Sequence, residues 1–143
     1  MSFTRLRYHL VTATKGRSPL ITPKIEPTLH ELMKEAAANL DSCIVEIGGI
    51  EDHVHFVAAV HPNVPVQDFM KRVKRDSSRE IKKAIPDASK FQWQAGYGGF
   101  TVSPFDLSGI RRYVRRQKEH HANNSLWRRF ELLEKLEEFD RAS

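Results

Sequence analysis

His53 and His55 stand at the head of an apolar stretch, HVHFVAAV, with only Val54 between them. In a β-strand successive side chains leave opposite faces, so both imidazoles project from one face while Val54 and Phe56 project from the other. Such a face can hold a divalent cation while its reverse packs into a core. Two imidazoles alone are too few for a structural zinc site, which takes four ligands. The plain alternative is a pair of histidines that only hydrogen-bond at a sheet edge. Further along, GIRRYVRRQKEHH (109–121) supplies more groups. Tyr113 and Gln117 are four apart, hence neighbours on one helix face, and His121 continues the same line. Ile110 and Val114 flank them, so this face turns inward. An inward glutamine needs hydrogen-bond partners or a metal. An inward tyrosine can equally be packing with its hydroxyl bonded.

The elements that must position these groups are legible from periodicity and turn chemistry. LRYHLVTAT (6–14) reads as a strand closed by the turn KGRSP. From Ile25, apolar residues at Leu29, Leu32, Met33, Ala36, Ala37 and Leu40 mark a helix, with Thr22-Pro23 as cap and first turn. SCIVEIGGI and HVHFVAAV form a hairpin joined through Gly48, Gly49 and Glu51-Asp52. PVQDFMKRVKRDSSREIKKAI is an amphipathic helix with Val66, Phe69, Met70, Val73, Ser77 and Ile81 along one side. GYGGFTVS (96–103) reads as a fourth strand with a glycine-rich entry. Pro104 stops it, and Asp106 or Ser108 caps a third helix running to about 121. A last helix covers about 126–139, with Leu126, Trp127, Phe130, Leu133 and Leu136. The order β-α-β-β-α-β followed by two C-terminal helices predicts an α+β, ferredoxin-like fold: a four-stranded antiparallel sheet carrying two helices on one face.

The chain has 143 residues, the size of one domain, with 40% hydrophobic and 29% charged side chains. The expectation is therefore a single domain over 1–143. Cys43 is the only cysteine, which excludes an intrachain disulfide and a cysteine-built metal site. No apolar run has membrane-spanning length and the N-terminus lacks a secretory pattern, so a soluble, cytoplasmic protein is expected. The net charge of +5 is unevenly spread. Arg72, Lys74, Arg75, Arg79 and Lys82 crowd the second helix, and Arg111, Arg112, Arg115 and Arg116 the third, which points to a polyanion such as nucleic acid. FQWQAGYGGF adds Phe91, Trp93 and Tyr97 as platforms for unpaired bases; the alternative places Trp93 and Phe100 in the core and uses the glycines for tight backbone approach.

Taken together, His53-Val54-His55, Tyr113-x-x-x-Gln117, the basic VKRDSSREIKK helix and WQAGYGGFTVS resemble the single-tyrosine HUH transposases of small insertion sequences, a group that includes the REP-associated tyrosine transposases. The resemblance extends over nearly the whole chain, and neither motif departs from the pattern. It implies metal-dependent cleavage and rejoining of single-stranded DNA through a 5′-phosphotyrosine, with recognition of hairpin ends. In that reading Tyr113 is the nucleophile, and His53, His55 and Gln117 hold Mg²⁺ or Mn²⁺. His121 is a possible auxiliary, and the nine basic residues named above contact DNA phosphates. It also implies a homodimer, in many members with the tyrosine helix completing the partner's histidine site. Three other readings compete. One is a non-catalytic nucleic-acid-binding module of the same fold. Another is a metal-dependent phosphoesterase that uses water as nucleophile. The third is a domesticated relative that processes chromosomal palindromes.

Overall fold

In the computed structural model, which describes residues 3–122, the backbone forms four strands and four α-helices. They follow in the order β1 (Arg7–Ala13), α1 (Glu26–Ala38), β2 (Cys43–Ile50), β3 (His53–Ala59), α2 (Val66–Ala84), β4 (Gly98–Thr101), α3 (Leu107–Arg115) and α4 (Gln117–Ala122). The sheet is antiparallel with strand order β2-β3-β1-β4, the arrangement expected from the element order. The helix expected at about 126–139 lies outside the described residues.

Alternation along the two central strands divides the interior into two layers. Leu10, Val54, Phe56 and Ala58 face α1 and α2, where they pack on Leu29, Met33, Phe69, Met70, Val73 and Ile81. The opposite face carries His9, His53, His55 and Val57, and α3 covers it with Ile110, Tyr113 and Val114. Strands β1 and β3 are thus buried on both faces, which explains their nearly continuous apolar sequences. Ser77 belongs to the buried stripe of α2 because its hydroxyl accepts the Trp93 indole N–H at 3.1 Å. Phe91 and Trp93 pack edge to face, 4.9 Å between ring centres, inside the first core. The core alternative for Trp93 is what the structure shows, and Phe91, expected as a base platform, is buried with it.

Four local features differ from the sequence expectation. Gly48 and Gly49 lie within β2, and the hairpin turn is Glu51-Asp52 alone. A Cβ on Gly48 would fall on the carbonyl oxygen of Val114, and one on Gly49 on the carbonyl oxygen of His53. The glycines therefore serve close approach, not the turn. A bulge between Ile44 and Glu46 turns both Val45 and Glu46 toward α3. Finally, the helix expected over 106–121 is broken at Arg116 (φ −101°, ψ 28°), which separates α3 from α4. At the start of α1, Pro27, not Pro23, occupies the first turn, where its missing N–H costs no hydrogen bond.

Two consequences can be measured. Gly48→Ala should lower the unfolding free energy by roughly 1–3 kcal/mol, since the new methyl meets backbone that cannot rotate away. Gly98→Ala should change it by less than about 1 kcal/mol, because its Cβ would meet only the Val11 side chain at 3.5 Å. Equal losses in urea denaturation would refute the close-approach argument. His30 on α1 gives a pH test. Burial, with help from Lys118 and Lys34 and against Glu26, lowers its pKa from 6.5 to about 4. A pKa lowered by folding leaves stability intact above 6.5 and removes it as pH falls toward 4. Between pH 7 and pH 5 the native protein should lose about 2 kcal/mol more than His30→Gln.

Candidate active site

The hairpin turn fixes the first of the two histidines. Thr14 N–H donates to the Asp52 carbonyl and Ile21 N–H to the Glu51 carbonyl, each at 2.9 Å, so the turn is held by the segment that follows β1. Asp52 Oδ1 then lies 2.8 Å from Nδ1 of His53, and its Oδ2 lies 3.6 Å from Arg17. Burial raises the pKa of this carboxyl. The hydrogen bond and charge of His53, joined by Arg17 and His121, outweigh burial and hold the group below its ordinary value. An ionised Asp52 accepts from Nδ1–H of His53, and when that ring is neutral the lone pair lies on Nε2. That atom lies 3.1 Å from Nε2 of His121.

His55 is held differently. Its Nδ1 lies 2.8 Å from Nε2 of His9, a histidine on the neighbouring strand β1. All three strand histidines are fully buried. The rings of His53 and His55 are 5.1 Å apart, as neighbours on one strand face should be.

The third element arrives over the same face. Tyr113 is 1% exposed, and its ring centre lies 5.9 Å from that of His55 and 4.6 Å from that of His120. Gln117 is fully buried; its Nε2 donates to the Tyr113 carbonyl at 3.2 Å, one turn before the helix break. Its Oε1 is buried with no hydrogen bond among the described residues. Lys118 reaches back over the edge of β2, 2.7 Å from the Glu26 carboxylate and 3.1 Å from the Gly49 carbonyl, and so ties α4 to the first layer. His53, His55, Tyr113 and Gln117 are thus gathered by one chain, with His120 packed on the tyrosine and His121 on His53.

A metal site was expected from His53, His55 and Gln117. Among the described residues no three His, Cys, Asp or Glu side chains form a ligand cluster, so two histidines need a donor of another kind. The orphaned amide oxygen of Gln117 is such a donor, and with Nδ1 engaged in both strand histidines Nε2 is the atom each would offer, His53 in exchange for its contact with His121. The residues fit a divalent ion of intermediate hardness, with nitrogen and oxygen ligands.

The basic residues divide. Those of α2 lie across the sheet from the histidines, behind the first core. Lys74 is committed to the backbone, donating to the carbonyls of Gln94 at 2.5 Å and Gly96 at 2.8 Å. Arg75 and Arg79 share Asp76, and Arg79 also meets Glu80. Arg72 is half-buried and Lys82 exposed. On α3, Arg111 and Arg115 reach Glu46 at the bulge, Arg116 reaches Glu119, and Arg112 lines a groove of about 920 Å³ between β4 and the start of α3. A second groove, about 810 Å³, lies at the β4 edge beside α2 and is lined by Tyr8, Tyr97, Lys71 and Gln67. Tyr8 and Tyr97, the other tyrosines of the chain, are therefore on the α2 side, away from the histidines. Burial also raises the pKa of Tyr97, which makes its phenolate harder to form.

Sequence reasoning passed over His9 and Asp52. The alternation of RYHLVTA places His9 on the same face as Val11 and Ala13, and the pairing of β1 with β3 puts that face beside His55. Asp52 was visible only as a turn residue.

Comparison with known proteins adds an independent line. The family model described as "Transposase IS200 like" matches residues 2–117, a span that takes in both histidines, the tyrosine and the glutamine. The ISDra2 transposase TnpA of Deinococcus radiodurans is 25% identical over 120 residues, covering 80% of this chain and 86% of that protein. A solved structure assigned as a transposase from Deinococcus radiodurans R1 superposes with a TM-score of 0.64 at 26% identity, covering 81% of this chain and 93% of the other. A REP-associated tyrosine transposase bound to a REP hairpin shares the fold, with a TM-score of 0.62 at 13% identity over 85% of this chain and 74% of that one.

The division of the basic residues has a direct test. Lys74→Ala should destabilise the protein by about 2 kcal/mol, the loss of charge-assisted hydrogen bonds to two carbonyls. Lys82→Ala should stay within about 0.5 kcal/mol of the native value. Thermal unfolding of the two variants side by side checks this, and equal stabilities would remove the anchoring role given to Lys74.

Proposed function

The chain belongs to the IS200-like transposases, single-tyrosine enzymes, and on that premise we propose that it cleaves and rejoins single-stranded DNA through a 5′-phosphotyrosine formed on Tyr113. The observation that carries this reading is the placement of Tyr113. Of three tyrosines it alone packs against the strand histidines, with Gln117 one turn on.

The phenol oxygen attacks the scissile phosphorus as the phenol gives up its proton, the phosphate becomes esterified to Tyr113, and the P–O bond to the upstream strand breaks, that strand leaving as a 3′-hydroxyl that takes up one proton. A phenol has a pKa near 10, far below that of a sugar hydroxyl, so phenolate is the better leaving group. The link therefore keeps the phosphodiester reactive toward a second 3′-OH, and rejoining needs no nucleotide cofactor. Three imidazoles, those of His9, His55 and His120, pack round the Tyr113 ring and hold it over the site. His53, His55 and Gln117 would hold the metal ion, Mg²⁺ or Mn²⁺, which when bound supplies Lewis-acid stabilisation of charge on the phosphate. Since Tyr113 is almost wholly enclosed, DNA reaches it only after part of its covering has moved.

For substrate we propose single-stranded DNA carrying a hairpin. The REP-associated relative of the same fold is bound to a hairpin, and this chain offers basic and aromatic surface at the β4 edge. Arg72, Arg75, Arg79, Lys82, Arg111, Arg112, Arg115 and Arg116 remain the proposed phosphate contacts. Such contacts set position and salt dependence without reading sequence. A homodimer in the cytoplasm belongs to the same proposal, although each chain already brings Tyr113 to its own histidines.

The test uses single-stranded DNA from the flanks of the encoding gene, labelled 3′ of the cleavage point, with Mn²⁺ or Mg²⁺. A labelled protein band should appear on a denaturing gel with the native chain and vanish with Tyr113→Phe. His53→Ala and His55→Ala should lose at least about 100-fold in cleavage while hairpin binding stays within a few-fold, because the basic surface is untouched. Cleavage that survives Tyr113→Phe without a covalent band would instead assign water as the nucleophile.

A further inference from the structure

The metal reading above explains what His55 does but not what fixes its ring, and the residue that fixes it is His9. We propose that His9 is a positioning residue for His55. It accepts a hydrogen bond from Nδ1–H of His55 and thereby presents Nε2 of that ring, with its lone pair, to the cation. The inference rests on the proposed metal site.

Geometry carries it. Nε2 of His9 and Nδ1 of His55 are 2.8 Å apart, with both side chains fully buried. At that distance one nitrogen must hold the proton and the other must accept it. A ligating Nε2 on His55 requires the proton on its Nδ1, so His9 accepts through Nε2. The His9 ring is itself confined. It packs 5.7 Å from Phe100, its register partner on β4, and stands edge-on to Tyr113 at 6.4 Å. It can neither swing away from His55 nor turn toward water. The other histidine ligand is oriented through the same atom, Nδ1, by Asp52. One ring leans on a carboxylate and the other on an imidazole, and in both arrangements Nε2 is the atom that would turn to the metal, on His53 in place of its contact with His121.

The opposing reading is a buried histidine that merely fills space between β1 and β4. The two are separated by three measurements on the full chain. First, ¹⁵N chemical shifts of the native protein without metal should show His55 as the Nδ1–H tautomer; the Nε2–H tautomer would overturn the proposal, whatever any variant does. Second, Mn²⁺ affinity is measured by titration calorimetry for the native chain, His9→Leu and His9→Gln. Leucine removes the acceptor and should weaken Mn²⁺ binding about 10–100-fold, whereas glutamine, whose amide oxygen can still accept, should stay within a few-fold. A His9→Leu protein that is folded by circular dichroism and binds Mn²⁺ like the native chain would defeat it. If His9→Leu does not fold, His9→Gln with a lost Nδ1–H tautomer and native Mn²⁺ affinity would do the same. Third, native chain that binds no Mn²⁺ at all refutes the metal site itself, a result distinct from native binding that ignores His9. Hairpin binding should be unchanged in every folded variant, since His9 lies far inside the sheet.

Discussion

The seating of α3 on the second face of the sheet is the constraint on which the rest depends. A helix brings its side chains to a sheet only if the backbones come close enough, and here Gly48 lies against the carbonyl of Val114 with no room for a Cβ. Gly48 pairs with His55 across β2 and β3, so the missing side chain lies next to the histidine that Tyr113 must reach. Any larger residue would lift the helix and open the distance between nucleophile and ligands together. The bulge at Val45 and Glu46 works to the same end. It supplies an apolar contact for the underside of α3 and a carboxylate for Arg111 and Arg115. The strand that carries no chemistry thus sets the position of the helix that does.

Much of this was legible before any coordinates. The two-residue period of HVHFVAAV assigned both histidines to one face, and the stripe of α2 was read correctly down to Ser77, although only the indole of Trp93 explains why a serine belongs there. Tyr113 and Gln117 were placed together by helical spacing, and the structure keeps them together. What escaped is of one physical kind: it depends on contacts between segments distant in sequence. The break at Arg116 has no proline or glycine to announce it. The glycines of β2 look like turn residues until a helix backbone is found against them. His9 sits in a strand whose pattern is ordinary, and only the pairing of β1 with β3 gives it a partner. Lys74 reads as one more cation of a basic helix until the carbonyls of Gln94 and Gly96 are seen to claim it.

The same lesson qualifies the charge. A net charge of +5 distributed over two helices suggests an open phosphate-binding surface, yet several of those cations already have carboxylates within 4 Å. These pairs are exposed, so each is worth little in stability and can be exchanged for a phosphate at small cost. Exposed pairs of this sort tune salt dependence more than they fix structure. The attachment of Lys118 to Glu26 and the Gly49 carbonyl, although Lys118 is exposed, joins α4 to α1 across the edge of β2 and so links the two layers.

Burying the polar side chains of His9, His53, His55 and Gln117 beside an apolar core is costly unless each finds a partner, and the chain meets that demand with polar groups from four elements. Asp52 comes from the hairpin turn, His9 from β1, His121 from α4, and the Tyr113 carbonyl from α3. Because the partners come from different elements, the rings are oriented only when the whole fold has assembled, and they are oriented before any ion or DNA arrives. That is preorganisation in the useful sense: the entropy of fixing the ligands is spent in folding rather than at binding. It also explains why one atom of the set, Oε1 of Gln117, can be left without a hydrogen bond. An unsatisfied acceptor is tolerable where the neighbouring rings are held from several elements, and it is an atom whose missing partner a cation would replace.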